Sequence, residues 1–170
     1  MKDFMKIALA QARKAATHDD VPIGAVIVQI IPCKGGGLPP IASAPRSGDG
    51  RRVVAHGENC VQKKRDATLH AEIVAIRAAS KKLGRKFLDD CEIYVTLEPC
   101  AMCATAISFA RIGRVIFAAR DAKGGGILHN ARVYDTDKHL FKPAVAETPE
   151  HADESAKMLK EFFKGKRNKE

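Results

Sequence analysis

Residues 23–31 are nearly continuous in apolar and β-branched side chains, with Ile23, Val26, Ile27, Val28, Ile30 and Ile31 dominating the run. A strand with one wet face alternates apolar and polar residues; an unbroken run belongs to a strand buried on both faces. Such a strand needs a layer of structure on each side. Helical patterns elsewhere can supply both layers. Met5, Ala8, Leu9, Ala12 and Ala16 recur at helical spacing, as do Ile73, Ile76, Ala79 and Leu83 in a helix beginning near His70. A third helix is predicted over 100–110, with Pro99 as its start signal, and Ala152, Ala156, Leu159 and Phe163 mark a C-terminal one. Further strands are expected at 52–55, 92–96 and 115–119. Strands alternating with helices predict an α/β layered fold.

The 170 residues, 45% of them hydrophobic, are expected to form one domain over 1–170. Two segments stand outside the pattern. Residues 32–50 contain Gly35-Gly36-Gly37, Pro39-Pro40 and Ser47-Gly48-Asp49-Gly50, and predict an inserted, flexible hairpin loop. Residues 164–170 read as a basic, frayed C-terminal tail. No run is long and apolar enough to span a membrane, and the N-terminus lacks the pattern of a signal peptide. A cytoplasmic location is expected. Five cysteines at irregular spacing agree, because an odd count makes a poor disulfide framework. The net charge of +9 points to a polyanionic partner, although basic residues are also ordinary solvated charges. The absence of Trp weakens a general single-strand-binding reading.

The chemistry concentrates in two short motifs, His70-Ala71-Glu72 and Pro99-Cys100-Ala101-Met102-Cys103. Cysteines three apart on a helix share a face, so both sulfurs can reach one point. At a helix N-terminus the dipole favours thiolate, which suits zinc. A structural zinc site needs four protein ligands, and Cys33, Cys60 and Cys91 form no second pair. His70, Cys100 and Cys103 make three ligands and leave a position for water, whose pKa zinc brings to around neutral. Residues two apart on a helix diverge, so His70 must stand at the helix start for Glu72 to approach the same point. Glu72 is then better used as a proton carrier than as a ligand. Taken singly, each motif has a plain reading: a solvated helix face for His-Ala-Glu, a redox pair for Cys-x-x-Cys.

Together the two motifs match the signature of zinc deaminases, and the chain resembles the bacterial tRNA-specific adenosine deaminases. The resemblance runs through Val21-Pro22-Ile23-Gly24-Ala25-Val26, Val95-Thr96-Leu97-Glu98-Pro99-Cys100, Arg111-Ile112-Gly113-Arg114-Val115, Ala119-Arg120-Asp121-Ala122-Lys123 and Leu159-Lys160-Glu161-Phe162-Phe163. It implies a three-layer α/β/α cytidine-deaminase-like fold with a central mixed sheet of about five strands. It also implies a Zn2+ cofactor, a homodimer, and a tRNA anticodon loop as the partner whose wobble adenosine becomes inosine. On that resemblance Asn59 contacts the flipped nucleoside and Asp121 lies near the ribose and backbone. The plain alternatives are that Asn59 caps a turn and that Asp121 caps the next helix. Lys63, Lys64, Arg65 and the basic residues of 164–169 are the candidate phosphate contacts.

The chain departs from the family at Ala67 and Leu69, where Pro and Ala are usual, and at Gly124-Gly125-Gly126, where a Thr-Gly-Ala-type turn is usual. Residues 127–145 are also unlike the best-known members. These changes border the expected substrate cleft and leave open a deaminase of a free base or nucleoside. A zinc-supported nucleic-acid-binding module is the non-enzymatic alternative. Glu72 argues against it, because a structural site has no use for a carboxylate beside an open metal position.

Overall fold

The computed structural model describes residues 3–31, 50–135 and 140–167. The predicted loop over 32–50 therefore lies outside the described residues, Gly50 excepted. The elements run in the order α1 (Phe4–Ala16), β1 (Gly24–Ile30), β2 (Arg51–Glu58), α2 (Val61–Lys64), α3 (Ala71–Leu83), β3 (Cys91–Leu97), α4 (Ala101–Phe109), β4 (Arg114–Ala119), β5 (Ala144–Glu147), a 3-10 turn (Pro149–His151) and α5 (Ala152–Arg167). The strands form one five-stranded mixed sheet in the order β2-β1-β3-β4-β5. β1 is antiparallel to both β2 and β3, whereas β3, β4 and β5 are mutually parallel.

The double-sided burial expected of residues 23–31 holds over β1 itself, whereas Ile31, just past its end, is 43% exposed. Ala25 and Ile27 of β1, Ile93 and Val95 of β3, and Val115 and Phe117 of β4 join one core with Ala71, Ala75 and Ala79 of α3 and Ala104 and Ile107 of α4. Their neighbours Val26, Val28, Ile116 and Ala118 face the other way, onto Phe4, Met5, Ala8 and Leu9 of α1, with Met158 of α5 packed alongside. This is the period-2 alternation of a pleated strand with an apolar partner on each side. The result is a three-layer α/β/α fold.

Topology decides where the site sits. β2 and β3 are each antiparallel to β1, so they run the same way, and α3 and α4 both leave the sheet at the same edge. The N-termini of these helices therefore meet. α3 packs very closely on β2: a Cβ on Gly57 would lie 2.2 Å from the Ala71 carbonyl oxygen, so only glycine fits there.

Two expectations need correction. The second strand spans Arg51–Glu58, longer than the predicted 52–55, because His56 and Gly57 continue the pairing with Val26 and Ala25. Of the basic tail expected over 164–170, residues 168–170 lie outside the described residues, and residues 164–167 form the last turn of α5. There the Lys166 ammonium stacks over Phe162 at 5.5 Å and pairs with Asp19. No helix among the described residues is long and apolar enough to cross a membrane.

Candidate active site

His70 is the N-cap of α3, with extended backbone (φ −65°, ψ 156°), and Cys100 occupies the same position on α4 (φ −67°, ψ 171°). An N-cap side chain leaves the helix at an angle unlike that of the following residues. His70 and Glu72 can thus approach one region although they stand two apart. The His70 Nδ1 atom lies 3.6 Å from the Cys100 Sγ and 3.6 Å from the Cys103 Sγ. All three atoms fall within 4.8 Å of one another, a cluster able to hold a metal ion. A tetrahedral zinc with bonds of about 2.3 Å to sulfur and about 2.05 Å to nitrogen requires S···N separations of about 3.6 Å. Both S···N distances match that requirement, so the residues present fit the ion.

The thiols polarise each other. A hydrogen bond from Cys103, opposed by burial and helped by His70, brings the Cys100 thiol down to about 4. Cys103, as the donor and fully buried, is pushed up. The Cys100 thiolate in turn raises the His70 imidazole above its usual range.

Glu72, in the first turn of α3, is only 3% exposed, and its Oε2 finds no hydrogen-bond partner among the described residues. Burial is the main cause of a carboxyl pushed up to about 7. Asn59 is 5% exposed, and its Oδ1 is also unpartnered among the described residues. Its backbone N–H donates to the Ile23 carbonyl at 3.0 Å, and that of Cys60 donates to Leu69 at 3.0 Å. These bonds set Asn59 beside the turn that delivers His70. A buried acceptor without a donor is costly unless a ligand satisfies it, and this side chain does not cap a turn.

Asp121 behaves otherwise. Its Oδ1 accepts from the backbone N–H groups of Lys123 at 3.0 Å and Gly124 at 2.9 Å, capping a turn rather than a helix. It also lines a cleft of about 600 Å³ between β4 and α5, with Leu97, Lys123, Leu159 and Phe163 among the other walls. The Gly124-Gly125-Gly126 turn has a steric cause. Gly126 donates its N–H to Pro99 at 2.8 Å, and a Cβ there would stand 2.4 Å from the Ala101 nitrogen.

Of the candidate phosphate contacts, Lys63 turns inward to Glu58 at 3.1 Å. There it joins Lys14 and His18 in holding that carboxylate down to about 2, against the opposing effect of burial. Lys64 and Arg65 are exposed. A residue to which sequence reasoning gave no role is Glu98, present only within the stretch 95–100 that carries the resemblance; it is 2% exposed beside the Cys100 turn.

The family model for MafB19-like deaminases matches residues 40–167. The tRNA-specific adenosine deaminase of Agrobacterium fabrum (strain C58) is 41% identical over 96% of this chain and 94% of its own length. That of Aquifex aeolicus (strain VF5) is 35% identical over 97% and 95%. The chain belongs to the tRNA-specific adenosine deaminase family. A structure solved in studies of A-to-I editing by tRNA:A34 deaminases at the wobble position superposes with a TM-score of 0.75 and 40% identity, covering 92% of this chain and 98% of that one. Family membership covers the stretches that depart from its usual pattern, including the glycine turn at 124–126.

Proposed function

We propose that this protein hydrolyses the wobble adenosine of a tRNA anticodon loop to inosine and releases ammonia, with His70, Cys100 and Cys103 holding Zn2+. The observation that carries this reading is the convergence of two thiols and an imidazole nitrogen at zinc-ligand spacing beside a buried carboxylate with one oxygen unpartnered among the described residues. Zinc, when bound, supplies the Lewis acidity that activates a water for attack on the adenine C6. Glu72 moves the protons. It can take one from the attacking water and pass it to the ring nitrogen, then take the second from the hydroxyl left on C6 and deliver it to the departing amine. The unsatisfied Asn59 Oδ1 is the acceptor for a donor on the flipped nucleoside.

The cleft beside Asp121 suits the neighbouring nucleotides. Lys123, Lys160 and Arg167 surround an apolar floor in which Phe163 is 48% exposed, so cations can meet phosphates while the ring stacks on a base. On the outer face of α4, Met102 is 37% and Phe109 67% exposed, one above the other two turns apart. We assign this face to a second copy of the chain, giving the homodimer.

The test is a substrate panel with ammonia as the readout, comparing free bases and nucleosides with an adenosine-bearing anticodon stem-loop across a salt series. Turnover on the stem-loop is expected, with binding that weakens steeply as salt rises, because phosphate contacts release counterions. Efficient, salt-insensitive deamination of a free base, with none on the stem-loop, would overturn the tRNA assignment.

A further inference from the structure

Glu98 enters the metal turn directly, followed by Pro99 and Cys100, yet every group that bonds its carboxylate lies more than twenty positions downstream. Oε1 accepts the backbone N–H groups of Ile127 at 3.2 Å, Leu128 at 2.7 Å and His129 at 3.0 Å. Oε2 accepts the backbone N–H of Asp121 at 3.2 Å and the His129 Nδ1 at 2.7 Å. Five donors on two oxygens saturate a carboxylate, which offers about four lone-pair sites. The segment from 121 to 129 has neither helix nor strand to satisfy its own amides. Three successive N–H groups converging on one oxygen form a concavity of the kind that binds anions. Here the protein's own carboxylate fills it. The loop is pressed so closely onto Glu98 that a Cβ on Gly125 would lie 2.5 Å from the Glu98 Cδ.

We infer that Glu98 is a positioning residue, which fixes the substrate-side loop carrying Asp121 against the turn carrying Cys100. The metal turn has bonds of its own that involve neither this carboxylate nor the loop: Ala104 N–H to Cys100 at 2.8 Å and Glu98 N–H to Ala119 at 2.8 Å. Removing the carboxylate therefore loosens the loop at 127–129, beyond the Gly126 N–H to Pro99 bond, and leaves the ligand helix in place. The loop's contribution is substrate placement, so the loss falls on KM rather than on kcat.

This inference rests on the deaminase reading above, and the experiment separates the two. Zinc-loaded wild type and Glu98→Gln are compared on the anticodon stem-loop, with zinc content and amide hydrogen exchange measured on the same samples. The substituted amide keeps one acceptor and turns a donor toward the loop's N–H groups. KM is expected to rise about tenfold or more, the scale of a lost buried hydrogen bond to a charged group. Turnover number is expected to stay within about threefold, and zinc at one per chain, while exchange at Ile127, Leu128 and His129 speeds up. Loss of zinc, an unchanged KM or unchanged exchange would each overturn the positioning role. Should Glu98→Gln not fold, Glu98→Asp keeps the charge but withdraws it by one methylene, and the same split is expected. If wild type turns over only a free base, the tRNA reading fails, and the variant-to-wild-type KM ratio on that base still decides the role of Glu98.

Discussion

Glu72 should make the metal-free protein lose stability as the pH rises. Burial lifts its carboxyl from 4.5 to about 7, and the group is 3% exposed, so solvent screening is slight. The folded state thus holds the proton more tightly than the unfolded chain does. The stabilising contribution of the bound proton is fully present below pH 4.5, is lost progressively as pH rises from there to 7, and is gone above 7. At about 1.4 kcal/mol per pKa unit the cost above pH 7 is about 3 kcal/mol. Replacing Glu72 by Gln removes the charge and keeps the shape. Metal-free Glu72→Gln should therefore match wild type at pH 5 to within about 1 kcal/mol, and exceed it by about 3 kcal/mol at pH 8. For a chain of this size that difference is roughly 6–12 °C in melting temperature. Urea or thermal unfolding of chelator-treated protein at the two pH values measures it. With zinc bound, the nearby dication favours the ionised carboxylate, and the gain should shrink. The zinc-loaded variant should keep its metal but lose turnover by about 100- to 10,000-fold, the usual value of a general acid–base group. Equal stability of variant and wild type at pH 8, or a near-normal rate in the loaded variant, would refute the reasoning.

Cys103→Ala should lose zinc and activity together, because a fully buried ligand has no substitute nearby; elemental analysis of the purified variant checks this. Gly126→Ala should destabilise the fold by about 1–3 kcal/mol, since the added methyl meets the Ala101 backbone, which cannot swing aside; a shift below about 0.5 kcal/mol in urea unfolding would contradict the packing argument. Phe109→Asp should leave the monomer folded, as the residue is 67% exposed; if the α4 face carries the proposed dimer, sedimentation velocity should show wild type as a dimer and the variant as a monomer, and a monomeric wild type would refute the assignment.

What the sequence makes legible depends on how far apart the interacting residues lie. The cluster able to hold a metal stands out because each motif is local: His70 and Cys100 both precede a helix, and Cys103 follows one turn later. The layers stand out because β1 carries its own evidence, apolar on both faces. β5 does not, since Ala144–Glu147 is a short, half-exposed strand whose place is set by pairing with β4. Nor does α2, whose N-terminal amides at Gln62 and Lys63 are satisfied by Asp20 from beyond β1, at 2.7 and 3.0 Å. Lys63 shows the same limit in electrostatic form. In a run of three basic residues it looks like a phosphate contact, yet the buried Glu58 carboxylate needs a cation and takes this one. Glu98 is the extreme case, with all its donors drawn from 121 to 129. A lone glutamate before a proline carries no local mark of that role. The metal-capable cluster can therefore be read from neighbours in sequence, but the loop from 121 to 129 is arranged by long-range bonds. Residues 124–129, where this chain leaves the usual family pattern, are held by such bonds. Substitutions there should change what is bound before they change how it is deaminated.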